Sequence, residues 1–118
     1  MAGKVWHKVA SSVSELNWTR SRIAVVEVED KKICIVEYKD KLYGFSLYCP
    51  HASGLFSDGY LDVSGNIVCP VHGYKFNIRN GRNTSGEGFQ LKTYEVEKRD
   101  DGIFARARES GGLFSWLK

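Results

Sequence analysis

Asn66-Ile67-Val68-Cys69-Pro70-Val71-His72-Gly73-Tyr74-Lys75-Phe76-Asn77-Ile78 reads as a short apolar strand, a tight loop and a second, alternating strand. Turn residues bound it on both sides, Ser64-Gly65 before it and Asn80-Gly81 after it. A Cys and a His this close can face one metal only from a turn, because a regular strand sends successive side chains to opposite faces. Pro70 fixes φ directly after the cysteine and removes a backbone donor. Gly73 is a small residue where backbone must pass close to a bound group. The loop has a counterpart upstream, Cys49-Pro50-His51, followed by the small residues Ala52-Ser53-Gly54. The full pattern is Cys-x-His, seventeen residues, then Cys-x-x-His, and it contains two of the three cysteines, two of the three histidines and both prolines. Two similar loops facing one another across a site are expected.

Outward from this pair, the patterning remains that of strands. Residues 22–28 and 32–38 are rich in Val and Ile and are joined by the polar turn Glu29-Asp30-Lys31. Residues 41–45 follow the turn Lys39-Asp40, so a three-stranded meander precedes the first loop. Residues 91–98 and 102–107, split by Arg99-Asp100-Asp101, form a final hairpin. Helical signals reduce to one turn at Ser12-Val13-Ser14-Glu15-Leu16, with Ser12 as cap and Glu15 placed for a capping box. Short strands at regular spacing predict an all-β antiparallel barrel or sandwich. Residues 79–88 are polar and Gly-rich and read as an exposed loop. We expect a single domain over residues 1–108, with residues 109–118 as a C-terminal tail carrying an apolar patch.

Bulk properties exclude several classes. At 118 residues, 42% hydrophobic and 26% charged, the chain has the make-up of one ordinary globular domain. Its longest apolar runs are far short of the roughly 20 residues that cross a bilayer, and no membrane association is expected. Met1-Ala2-Gly3-Lys4-Val5-Trp6-His7-Lys8 lacks the apolar core of a signal peptide, so a cytoplasmic location is expected. The formal charge of +3 is scattered, without the dense basic run that nucleic-acid binding uses. Three cysteines in a cytoplasmic chain point to metal or catalysis before bridges. Cys34, inside Lys32-Ile33-Cys34-Ile35-Val36, reads as plain core, and His7 as a surface histidine.

Soft thiolate and imidazole donors suit a thiophilic metal. A structural zinc site accepts two cysteines and two histidines, but its usual spacings pair Cys with Cys and His with His. A [2Fe–2S] cluster with two cysteines on one iron and two histidines on the other takes one of each from either loop. Both metals are compatible with the four side chains.

Cys49-Pro50-His51 and Cys69-Pro70-Val71-His72-Gly73 resemble the ligand boxes of the Rieske iron–sulfur family. Gly54-Leu55, Asp58-Gly59-Tyr60, Gly65-Asn66-Ile67-Val68, Phe76 and Gly81 fit the same pattern, and the similarity runs over residues 5–108. The resemblance implies a [2Fe–2S] cofactor, with Cys49 and Cys69 on the inner iron and His51 and His72 on the outer iron near the surface. It also implies the Rieske fold, an all-β domain with the cluster on a small two-loop subdomain, here residues 47–78.

High-potential members of the family carry an extra cysteine in each box, and hydroxyl donors from a Ser and a Tyr after the second box. Here Ala52, Ser53 and Val71 stand in the boxes, and Gly73-Tyr74-Lys75-Phe76 follows, with Phe76 unable to donate. Fewer hydrogen bonds to sulfur stabilise the extra electron less. A potential near the lower end of the Rieske range of about −150 to +300 mV is therefore expected. The resemblance is closest to a Rieske-type ferredoxin, a monomeric one-electron carrier without catalytic residues. Such a carrier takes electrons from a flavin-type reductase and passes them to a terminal oxygenase. An oxygenase needs a further iron held by two histidines and a carboxylate, and only His7 remains. The alternatives are a small Rieske-like subunit of a nitrite reductase-type enzyme and a zinc-stabilised interaction module. Docking is expected around an apolar rim of Pro50, Leu55, Phe56, Val71 and Tyr74. Family members often have proline in the loop that covers the cluster from a third side. Ser85-Gly86-Glu87-Gly88-Phe89-Gln90-Leu91 has none, which leaves open a more mobile loop or shielding by Phe89.

Overall fold

The structure, a computed structural model, describes residues 5–50 and 54–108. Among the described residues there are nine strands: β1 (His7–Ala10), β2 (Ile23–Val28), β3 (Lys31–Tyr38), β4 (Lys41–Ser46), β5 (Tyr60–Leu61), β6 (Asn66–Val68), β7 (Lys75–Asn77), β8 (Thr93–Arg99) and β9 (Gly102–Ala107). Six of them make one antiparallel sheet in the order β1-β9-β8-β4-β3-β2, curled until its outer strands β1 and β2 approach. The other three make a small sheet in the order β5-β6-β7. This is the all-β barrel architecture that the strand pattern predicts.

The alternation of β3 shows how one strand serves two cores. Ile33 and Ile35 point into a cluster with Ala24, Val28, Tyr94, Ile103 and Ala105, on the enclosed side of the curled sheet. Cys34 and Val36 point the other way, into a cluster with Phe45, Leu47, Phe56, Ile67 and Phe76 that includes Cys49 and Cys69. Both faces of β3 are therefore buried, as its unbroken Ile-Cys-Ile-Val run requires. Three phenylalanines fasten the small sheet to the large one. Phe56 stands edge-on to Phe45 of β4 and to Phe76 of β7, with ring centroids 5.7 Å apart in each pair, a geometry that adds to plain area burial. Tyr38 at the end of β3 reinforces the join by donating its hydroxyl to the Val63 carbonyl at 2.9 Å.

Three details differ from expectation. β1 and the two-residue β5 carry no strand pattern in the sequence; β1 forms by pairing with β9, and β5 with β6. The turn at Val13–Glu15 is a single 3-10 turn without a capping box. The Glu15 carboxylate accepts from the Ser11 N–H at 2.6 Å, one residue early, while the Ser12 hydroxyl pairs with Ser14. The C-terminal tail, residues 109–118, lies outside the described residues.

Candidate metal centre

Both boxes are built in the same way. In the first, the Cys49 N–H donates to the Gly54 carbonyl at 2.9 Å, and in the second the Cys69 N–H donates to the Tyr74 carbonyl at 2.8 Å. Each cysteine thus closes a loop onto the residue five positions on. The first loop is clasped by a bridge between Tyr48 and Leu55 and by the Phe56 N–H on the Leu47 carbonyl at 2.8 Å. The second grows from the β6–β7 pairing of Val68 with Lys75. It is tightened by the Gly73 N–H on the Cys69 carbonyl at 2.9 Å, with Gly73 at φ +74°, where a side chain would be strained.

The loops meet at Gly54. A β-carbon there would lie 2.7 Å from Cys69 Sγ and 2.7 Å from Val71 Cγ2, so only bare backbone fits against the opposite thiol. Cys49 and Cys69 are both buried in the cluster beneath the loops, whereas His72 is exposed. His51 lies outside the described residues; the structure puts the two cysteines in one cluster and places His72, three residues after Cys69, at the surface. Among the described residues, no three His, Cys, Asp or Glu side chains converge to hold a single ion.

Cys34 belongs elsewhere. It lies in the middle of β3 with no exposed surface, and burial pushes its thiol up to about 12. His7 sits on β1, with its Nε2 at 3.0 Å from the Glu29 carboxylate across the large sheet. The expected rim needs one correction. Phe56 has no exposed surface, because the 3-10 turn Phe56–Asp58 swings it inward between Phe45 and Phe76. Pro50 and Val71 are exposed, Leu55 and Tyr74 are half-buried, and Tyr48, Pro70 and Phe89 join the exposed apolar set.

A third loop flanks the second box. Its Asn83 side chain donates to the Lys75 carbonyl at 3.0 Å, the Ser85 hydroxyl at 3.2 Å and the Glu87 carboxylate at 2.9 Å, and accepts from the Gly88 N–H at 2.6 Å. The Ser85 hydroxyl accepts from the Lys75 N–H at 2.9 Å and donates to Glu87 at 2.5 Å. Phe89 then stacks on Tyr74, with centroids 6.1 Å apart and planes at 28°, and Tyr74 lies 6.0 Å from the His72 ring. The sequence alone does not show how this loop is attached. Its one signal was the polar alternation Asn83-x-Ser85-x-Glu87 just before an aromatic residue.

Residues 5–95 match the Rieske [2Fe-2S] domain, and the chain belongs to that family. Its cofactor is accordingly a [2Fe–2S] cluster. The side chains present fit such a group: buried soft thiols at the base of two matched loops, an imidazole at the surface, and a glycine leaving the space between the loops clear. The chain is 28% identical over 78 residues to the 3-phenylpropionate/cinnamic acid dioxygenase ferredoxin subunit of Photorhabdus laumondii, covering 65% of this chain and 74% of that protein. In structure it resembles the ferredoxin of carbazole 1,9a-dioxygenase from Nocardioides aromaticivorans IC177. There the TM-score is 0.75 at 22% identity, covering 88% of this chain and 99% of the other. It also resembles a chain in the complex of reduced oxygenase and oxidized ferredoxin in carbazole 1,9a-dioxygenase, with TM-score 0.73 and 26% identity over 91% of this chain and 97% of that one. Among the described residues no helix is long and apolar enough to cross a membrane.

Proposed function

We propose that this protein is a one-electron carrier that takes electrons from a flavin-type reductase and delivers them to a terminal oxygenase. Cys49 and Cys69 hold the inner iron of the cluster, His51 and His72 hold the outer iron, and residues 47–78 act as the cluster-binding unit. When bound, the group supplies reversible one-electron chemistry without making or breaking bonds in a substrate. The observation that carries this reading is the asymmetry of the site: both thiols are buried, while His72 stands at the surface. The chain therefore insulates one end and opens the other to a partner. The buried, edge-on cluster of Phe45, Phe56 and Phe76 excludes water from beneath the cysteines. The matched backbone closures at Gly54 and Tyr74 set the loop shapes, and the exposed apolar residues Tyr48, Val71 and Phe89 provide the modest contact patch that a transient redox encounter needs. Similarity to a dioxygenase ferredoxin subunit supports the choice of acceptor. Phe76, buried and without a hydroxyl, stands where high-potential members place a donor, which supports a potential near the low end of the range.

Visible absorption, electron paramagnetic resonance of the dithionite-reduced protein and a redox titration test this together. The expected result is a Rieske spectrum with a low midpoint potential that falls, or a spectrum that disappears, in His72→Cys. A colourless, zinc-containing protein, or an unchanged spectrum and potential in His72→Cys, would overturn the assignment.

A further inference from the structure

The third loop is fixed to the site by side chains whose roles lie outside the ligand set. Lys75, the first residue of β7, follows the second box by two positions, and both of its backbone polar groups are taken by this loop. Its N–H goes to the Ser85 hydroxyl, while its carbonyl receives the Thr84 N–H at 2.8 Å and the Asn83 amide. Pairing of Phe76 with Asn83 extends the attachment along β7. Asn83 is the hub, since the same amide also reaches Ser85, Glu87 and the Gly88 N–H. The loop is exposed and Gly-rich, with Gly86 and Gly88 both at positive φ, so it has little apolar burial to hold it. These polar contacts hold its tip, while its far end is fixed by the Arg82–Gln90 bridge and the Leu91 N–H on the Gly81 carbonyl at 2.9 Å, and together they set Phe89 onto Tyr74 and, through Tyr74, against His72.

We propose that Asn83 and Phe89 are positioning residues for the second box, Asn83 latching the loop to the start of β7 and Phe89 bracing Tyr74 so that the exposed His72 is held in place and water is kept from the flank of the box that Tyr74 and Phe89 cover. The proposal rests on the carrier reading above. A bound oxidised cluster with two thiolates and two neutral imidazoles is uncharged overall, and reduction adds one negative charge. Water admitted to the site favours the charged form, so loosening the loop raises the midpoint potential and speeds loss of iron.

The test compares wild type, Asn83→Ala and Phe89→Ala as purified holoproteins, by amide hydrogen exchange, redox titration and the rate of bleaching by an iron chelator. In Asn83→Ala, the Lys75 and Gly88 amides are expected to exchange about tenfold faster or more, which the loss of roughly one net hydrogen bond produces. Bleaching accelerates and the potential rises. In Phe89→Ala the potential and bleaching shift in the same direction, while the Lys75 amide keeps its protection. A purely structural role would lower the melting temperature and leave the potential of the folded holoprotein unchanged. Faster exchange in Asn83→Ala with unaltered potential and bleaching would overturn the proposal, as would wild-type behaviour in Phe89→Ala. Either result would leave the carrier reading intact, whereas a wild-type protein without a Rieske spectrum would overturn both.

Discussion

Burial makes Cys34 the chemical opposite of the two loop cysteines. It pairs across the sheet with Val25 on one side and Phe45 on the other, and its thiol is held at about 12, against an ordinary 9.0, because the interior disfavours the thiolate. The stabilisation from keeping this thiol neutral is complete below pH 9 and is lost as pH rises toward the folded-state value. Cys34→Ala removes the titrating group and leaves a small void, a cost on the order of 1 kcal/mol at neutral pH. We therefore expect the melting temperature of wild type to exceed that of Cys34→Ala near neutrality, and the gap to narrow or reverse at about pH 10.5. Iron content should be the same in both proteins, and thermal scans at two pH values with an iron assay check this. The role of such residues was legible to different degrees. Cys34 could be read as core from its apolar neighbours, and the boxes from ligand type and spacing. The burial of Phe56 could not, because its neighbours Ser57 and Asp58 are polar and only the 3-10 turn turns the ring inward.

At the scale of elements, the hairpins show a local conflict. β2 and β3 are joined by Glu29-Asp30, and β3 and β4 by Lys39-Asp40, two-residue loops in which all four residues have φ between 51° and 67°. That conformation matches the twist of the flanking strands but favours Asn and Gly over side chains of this kind. The long strands override the preference, with six paired positions on each side of β3. Replacing Lys39-Asp40 by Asn-Gly should relieve the strain and outweigh the loss of the Lys39 ammonium over the Tyr38 ring at 5.5 Å. The expected gain is about 1 kcal/mol, or roughly 4–8 °C in melting temperature for a domain near this size, measurable by calorimetry. The meander and its turns were readable because Val and Ile runs alternate with polar pairs. β1 was not, since it depends on β9 at the far end of the described chain, and β5, only two residues long, is too short to carry a strand pattern. The Asn83 latch escaped for a different reason: its target is the Lys75 backbone carbonyl, and a main-chain acceptor leaves no mark on the sequence.

At the scale of the whole molecule, two cores share one sheet, and the phenylalanines Phe45, Phe56 and Phe76 join the small sheet to it. One core lies within the curled sheet, with Trp18 packed against it; the other, containing Cys49 and Cys69, is sandwiched under the small sheet and centred on Phe56. Phe56→Ala should cost about 3–5 kcal/mol. Most of that loss falls on the join between the sheets, because the partners of Phe56 come from both. In urea, wild type is expected to lose cluster absorbance and change tryptophan fluorescence together. In Phe56→Ala absorbance should be lost at lower urea than the fluorescence change, and coincident transitions in the variant would show that the two cores unfold as one.

The outer strands of the curled sheet have one more consequence. An open sheet ends in rows of unpaired backbone groups that invite another chain to add a strand. Here Trp18 bridges to Ala24 alongside β2, the Thr19 N–H bonds the Ile23 carbonyl at 2.9 Å, and β1 is broken by a bulge between Lys8 and Ala10. Both margins are short or covered, which disfavours adhesion between copies at high concentration. An electron carrier gains from this, since contact is left to exposed side chains such as Tyr48, Val71 and Phe89 rather than to strand pairing, and release is as necessary as contact.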